Sequence, residues 1–383
     1  MKIAIFIEYP PKGGPVRGGV AAVAVALVGG LTKLPGLDVH VIWLERGRKS
    51  VAVEQDGGAT IHRLPGSRWP HITDILIGPG RRRLLDYLDA LQPDVVHFHE
   101  TYGLVLGAMR IPSVFTVHGF DHLNILADAE RFGKLRSFLW RHVERFGLAR
   151  HRHVVSIIPY VRTMIQPMTT AAIYDIDNPV DEAFFTIHRS ERPGRLLYVG
   201  TICERKDTLA AVRAVAIAVQ NSIPATLEIA GGPLAGHYYE KIKDFIRDNR
   251  LEEHVTFLGH ASPELLRQKL AEASALLLPS WQENAPIAIA EAMSAGVPVL
   301  STNCCGMPYM VAEGETGYLV GPGDYMALAD RISRLISDDP LRKRMGEVAC
   351  ATALQRFHPN IVATKTYQVY LKVVAGSNHK SSV

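Results

Sequence analysis

The 383-residue sequence is short of cysteine, of charge imbalance and of long apolar runs, and each shortage closes off a class of protein. Its four cysteines, Cys203, Cys304, Cys305 and Cys350, form no C-x-x-C pair and no zinc-like spacing. Adjacent Cys304 and Cys305 make a poor structural disulfide, so a reducing compartment is expected. Lys and Arg total 42 against 38 Asp and Glu, a formal net charge of +4. That balance is too mild for nucleic-acid binding, but it tolerates acidic small molecules or an anionic membrane surface. No stretch approaches the roughly 18 apolar residues of a membrane span. The opening MKIAIFIEYPPKGG stops at two prolines and reads as a buried first strand, not a secretory signal. A cytoplasmic protein is expected, with peripheral contact to the inner face of the membrane as an added reading. A G-x-G-x-x-G fingerprint is missing after the first strand, which argues against a nicotinamide or flavin enzyme.

What is present is apolar sequence in short, regularly spaced runs. Hydrophobic residues make up 47% of the chain, and its length exceeds what one core usually supports. Runs rich in Val and Ile fall at Lys2–Glu8, Val39–Leu44, Asp94–His99, Ser113–His118, His153–Ile157 and Ile173–Asp177. A second series falls at Arg195–Gly200, Thr226–Gly231, Val255–Gly259, Ala275–Ser280, Val297–Thr302 and Gly317–Val320. Continuous apolar strands alternating with helix-length segments predict an α/β fold with parallel sheets covered on both faces. The series breaks in the proline- and charge-bearing stretch between Asn178 and Pro193. The expected division is a Rossmann-like acceptor-binding domain over 1–182 and a Rossmann-like nucleotide-sugar domain over 183–355. A C-terminal helix and tail over 356–383 would pack back on the first domain. Ligands of such sheets bind at the carboxyl ends of the strands, so chemistry-bearing residues should follow strands.

The run S-W-Q-E-N-A-P-I-A-I-A-E-A-M-S-A-G-V-P-V from Ser280 to Val299 does so. Pro286 is suited to the first helical position, and Gly296 to the end of that helix. The helix start would aim backbone N–H groups and partial positive charge at a diphosphate. Glu283 lies before the helix and Glu291 within it. Two ordinary solvated glutamates are the bland reading. Against it, Glu291 sits in the apolar run IAIAEAM, where an unpaired charge is costly. Carboxylates can grip the vicinal hydroxyls of sugar rings.

With its E-x7-E spacing and closing A-G-V-P-V, the sequence resembles the family 4 retaining glycosyltransferases of the GT-B fold. Supporting residues are Gly18-Gly19, His118-Gly119, Asn178-Pro-Val-Asp181, Gly200 to Lys206 and Ala230-Gly231-Gly232. The resemblance covers nearly the whole chain. It implies two doubly wound Rossmann-like domains facing across a cleft, and a sugar moved with retention from a nucleotide-diphosphate donor to a hydroxyl acceptor. It assigns Glu283 and His118 to the transferred sugar and Glu291 to the donor ribose. Lys206, with Arg205, Gly200 and Thr201 in the same loop, would meet the diphosphate, with backbone N–H groups of Asn284, Ala285, Pro286 and Ile287 nearby (proline offering none). Gly18 and Gly19, beside Arg17, would let the first-domain loop approach donor and acceptor. One departure stands out: the family usually has arginine where this chain has Thr201, and Arg205 is the candidate replacement.

Other features carry less. His97 and His99 share a strand face and read as core or cleft-edge residues. Asp175-Ile-Asp177 is a poor metal motif beside a linker, and no metal or cofactor is expected. Arg131 to Phe146 can form a helix with Arg131, Lys134, Arg141 and Arg145 on one side and Phe132, Leu135, Leu139, Val143 and Phe146 adjoining. It fits either an anionic membrane surface or an ordinary core-packed helix. The expected partners are a nucleotide-sugar and a glycan, lipid-linked or small-molecule acceptor in glycan or glycoconjugate biosynthesis, with no nucleic acid. The alternatives are a nucleotide-sugar epimerase or hydrolase, or a non-catalytic nucleotide-sugar-binding partner protein.

Overall fold

A computed structural model gives the fold and describes residues 1–14, 16, 18–99, 111–128, 132–234 and 237–378. These residues group into two compact units. One contains Met1–Gly119, Leu139–Pro179 and the chain from Pro359 onward; the other contains Phe120–Phe138 and Val180–His358.

The first unit is built on an eight-stranded sheet: β1 (Lys2–Phe6), β2 (Asp38–Arg46), β3 (Ala52–Asp56), β4 (Ala59–Gly66), β5 (Val95–Phe98), β6 (Ser113–Val117), β7 (His153–Ser156) and β8 (Ala172–Asp175). Their order is β3-β4-β2-β1-β5-β6-β7-β8. All neighbours are parallel except β3 with β4. That hairpin was not expected from the sequence, and it breaks the purely parallel pattern. Its edge strand alternates polar and apolar residues and so lacks a continuous apolar run. The legible signal was Asp56-Gly57-Gly58-Ala59, whose two glycines take φ of +54° and +88°, as a tight two-residue hairpin requires.

The helices before the second sheet are α1 (Gly19–Leu31), α2 (His71–Leu76), α3 (Pro79–Leu91), α4 (Asp121–Ala127), α5 (Gly133–Leu148) and α6 (Pro159–Ile165). The second unit carries β9 (Arg195–Val199), β10 (Thr226–Ala230), β11 (Val255–Gly259), β12 (Ala275–Leu278), β13 (Val299–Thr302) and β14 (Gly317–Val320), all parallel, in the order β11-β10-β9-β12-β13-β14. Around it are α7 (Thr208–Gln220), α8 (Tyr238–Asp248), α9 (Pro263–Glu272), α10 (Ile287–Ser294), α11 (Tyr325–Ser337) and α12 (Asp339–Arg356).

The last helix, α13 (Pro359–Asn378), belongs to the first unit. Val362, Ala363, Val369, Tyr370 and Val373 are buried in one cluster with Ile3, Ile5, Leu27 and Leu31. Gly30 allows this approach, since a Cβ there would lie 2.6 Å from the carbonyl oxygen of Pro359.

The face of α5 turned from solvent is not the expected apolar stripe. Ser137, Glu144, Gly147 and Leu148 are buried, whereas Leu135 (61%), Leu139 (56%) and Phe146 (49%) are exposed. Among the described residues no helix is long and apolar enough to cross a membrane.

Candidate active site

In the second unit, two loops at strand carboxyl ends are stitched together. After β9, Gly200 leads to a short 3-10 turn, Glu204–Lys206, and Asp207 then caps α7 by accepting the N–H of Ala210 (3.2 Å). After β12 comes the Ser280–Pro286 loop. The Trp281 N–H donates to the Arg205 carbonyl (2.8 Å), and the Trp281 indole donates to Asp207 (3.0 Å). From beyond β13, the Gly306 N–H donates to the Glu283 carbonyl (3.0 Å). A Cβ at Gly306 would lie 1.4 Å from the Asn284 carbonyl oxygen, so only glycine fits beneath this loop.

The stitching concentrates charge. Lys206 Nζ lies 2.7 Å and Arg205 Nη1 3.0 Å from the same oxygen of Glu283. Arg205 also donates to the Gln282 carbonyl (2.8 Å), and its Nε reaches the Asp128 carboxylate (3.3 Å). Burial alone would raise the Glu283 carboxyl. The two cations more than offset this and hold it below the usual carboxylate range. Burial likewise opposes the Arg205 charge, but Glu283 and Asp128 hold its guanidinium firmly protonated. The sequence had these cations open to an anion and Glu283 apart from them. The structure pairs all three, so a phosphate arriving here competes with a carboxylate. Thr201 is solvent-exposed, while Asn284 and Pro286 are buried.

Glu291 has a different environment. It is 7% exposed on α10, and burial followed by the nearby Asp181 charge pushes its carboxyl up to about 8. It therefore holds its proton at neutral pH, a correction to the carboxylate expected from the sequence. Pro286 is also displaced from expectation: with φ −63° and ψ 120° it stands just before the helix, and Ile287 takes the first helical position. Gly296, at φ +69°, ends the helix as its position implied.

In the first unit, Gly18 precedes α1 with φ +85°, and Gly19 is the first helical residue. Arg17 lies outside the described residues, as does Arg131 of the basic segment. His118 follows β6, and its Nε2 is 2.9 Å from Nδ1 of His99. Burial pushes His118 down to about 4, so its ring is neutral. His97 bonds the Tyr370 hydroxyl and Thr116 (2.7 Å each), which ties α13 to β5. Asp175 is paired with Arg162 at 2.6 Å. Among the described residues no cluster of three or more His, Cys, Asp or Glu side chains is arranged to hold a metal.

A family model described as Glycosyltransferase Family 4 matches residues 17–184, and one described as Glycosyl transferases group 1 matches 180–351. The chain belongs to the family 4 glycosyltransferases. It is 28% identical over 294 residues to the glycogen synthase of Mycobacterium tuberculosis, spanning 74% of this chain and 70% of that protein. The sucrose-phosphate synthase structure from Thermosynechococcus elongatus matches with a TM-score of 0.83 and 19% identity, over 98% of this chain and 99% of that one. Anabaena Alr3699/HepE in complex with UDP and glucose matches with a TM-score of 0.71 and 16% identity, over 96% and 99% of the two chains. At such identities these structures speak for the fold, which is GT-B with two Rossmann-like domains.

Several residues of the candidate site were not singled out from the sequence. Asp128 reaches Arg205 from 77 positions away, a pairing no local pattern encodes. His99, read as a core or cleft-edge residue, is buried, and it carries the hydrogen bond to His118. Trp281 and Gln282 were inside the recognised run, but their contacts to Asp207 and to the Cys305 thiol (2.7 Å) appear only in three dimensions.

Proposed function

We propose that this glycosyltransferase moves a sugar from a nucleoside-diphosphate-sugar to a hydroxyl acceptor with retention of configuration, in glycan or glycoconjugate synthesis. The observation carrying the proposal is the Glu283 carboxylate held under Lys206 and Arg205 at the entrance to α10. In the reaction the anomeric C–O bond breaks and its electron pair leaves on the diphosphate. The acceptor oxygen bonds to the same face of the anomeric carbon, and its proton passes to the leaving phosphate. Arg205, Lys206 and the first N–H groups of α10 take up the charge that develops, without a metal or cofactor. Glu283, released from its cations by the donor, accepts from sugar hydroxyls. Glu291 bonds the ribose, and neutral His118 orients the transferred sugar. Relatives that make glycogen, and a like-folded protein solved with UDP and glucose, support this reading.

The test is thermal unfolding with UDP, GDP, ADP and their sugar conjugates. A ligand at 100 times its Kd should stabilise the fold by about 2.7 kcal/mol. One nucleotide series is expected to shift the transition, and Lys206→Ala to remove most of that shift and lower kcat/KM by about 10²–10³-fold. No shift with any nucleotide overturns donor binding. A shift without turnover over a broad acceptor panel points to a non-catalytic binding protein, which exposed Thr201 in place of the family's arginine would favour. Free sugar or an epimer formed without acceptor points to a hydrolase or epimerase.

We also propose peripheral contact with an anionic membrane through α5. Its exposed apolar residues Leu135, Leu139 and Phe146 adjoin exposed Lys134, Arg141 and Arg145.

A further inference from the structure

Two of the four cysteines, Cys304 and Cys305, are neighbours in the chain just past β13. Both are partly exposed, and their sulfurs face the loop that follows β12. The Cys304 thiol lies 3.5 Å from the Ser280 carbonyl and 3.4 Å from that of Trp281. The Cys305 thiol lies 2.7 Å from Oε1 of Gln282. The two thiols also meet each other. A hydrogen bond to Cys305, then burial, pushes the Cys304 thiol well above its usual range, so Cys304 keeps its proton.

Two further observations set this pair apart. Gln282 is buried, yet its Nε2 has no hydrogen-bond partner among the described residues. A half-turn of that amide brings an N–H group onto the Cys305 sulfur, where it steadies a thiolate. Cys305 itself takes φ +53°, a left-handed conformation uncommon for a residue with a side chain. The next residue is Gly306, which donates to the Glu283 carbonyl and has no room for a Cβ under the loop. A covalent change at the pair therefore acts on the backbone that supports Glu283.

We propose that Cys304 and Cys305 are a thiol-modification site, which a small disulfide oxidises reversibly to a bridge between the two neighbours, loosening the loop after β12. Cys305 attacks as the thiolate. Its sulfur bonds to one sulfur of the small disulfide, whose S–S bond breaks and releases the other half as a thiol. Cys304 then gives up its proton, bonds to the Cys305 sulfur and expels the second thiol. Two hydrogens leave the protein, and one external disulfide is reduced to two thiols. Neighbouring Cα atoms lie about 3.8 Å apart, short of the roughly 4.4–6.8 Å usual for a disulfide. The bridge is therefore strained and easily reduced, which suits a reversible change and not a structural crosslink. Closing it draws the sulfurs away from Gln282 and from the Ser280 and Trp281 carbonyls.

The test treats the full chain with oxidised glutathione and follows it by intact mass, peptide mapping and thermal unfolding. The wild type is expected to lose two hydrogens, mapped to the peptide that holds Cys304 and Cys305, and to unfold about 2–4 °C lower. Dithiothreitol should restore both. Cys304→Ser should stop at a mixed disulfide on Cys305, and Cys305→Ser should form no bridge. No reaction, a wild-type mixed disulfide that goes no further, a bridge elsewhere, or unchanged unfolding of the oxidised protein overturns the proposal. The oxidised protein is also expected to bind nucleotide at least tenfold more weakly, and equal shifts before and after oxidation would overturn that effect. This last expectation alone rests on the glycosyl-transfer reading, whose failure would show separately, as no nucleotide shift in the untreated protein.

Discussion

Glu283 and Glu291 are eight positions apart, yet their surroundings give them opposite charge states. Both lose water. Two cations offset this for Glu283, while Glu291 meets the like charge of Asp181 and keeps its proton. This has a consequence for stability. The folded-state carboxyl of Glu291 titrates near 8, against 4.5 for an ordinary glutamate. The fold therefore holds an extra proton between those values, and its stability falls as pH rises through that window, by about 1.4 kcal/mol per pH unit. Glu291→Gln cannot ionise and should lose this slope. Chemical unfolding of both proteins at pH 5 and pH 8 is expected to show the variant gaining about 3.5 kcal/mol on the wild type between the two. Parallel pH profiles would mean that Glu291 is ionised in the free protein.

Elements, not single residues, hold the loops after β9 and β12 in place. The Ser280–Pro286 loop rests on Gly306 with no room for a methyl group. Gly306→Ala must push the loop away or open the hydrogen bond to Glu283. It is expected to lower stability by about 1–3 kcal/mol and to abolish the nucleotide-induced shift. An unchanged shift would show that the loop adapts. The exposed side of α5 makes a prediction at the same scale. The protein should float with phosphatidylglycerol vesicles at low salt and not with phosphatidylcholine vesicles. Leu135→Glu with Leu139→Glu should abolish the association, and no flotation of the wild type at low salt would sink the membrane reading. Much of this level was legible in the sequence. The α10 helix was marked by its proline and glycine, and the buried parallel strands by their apolar runs. The β3–β4 hairpin was missed because an edge strand wetted on one side needs no such run.

At the scale of the molecule, the chain crosses between its two units more than once, and α13 ends in the first. Removing residues 359–383 would uncover Leu27, Val28 and Leu31 and strip Tyr370 from His97. The truncated protein is expected to expose apolar surface, bind a hydrophobic dye and unfold at lower temperature, with the loss confined to protease-sensitive sites in the first unit. Unaltered melting would mean that α13 is an ornament on a self-sufficient sheet.

The sequence by itself determined the family, the two α/β units and the identity of the polar residues at strand ends. Those follow from local pattern: apolar runs for strands, proline and glycine for helix limits, and E-x7-E for the loop and helix after β12. Only the tertiary structure decided which charges meet. The pairing of Glu283 with Lys206 and Arg205, the reach of Asp128 and the proton on Glu291 all depend on distance and burial between segments far apart in the chain. Coulombic and desolvation energies are set by those distances, and a linear pattern does not contain them.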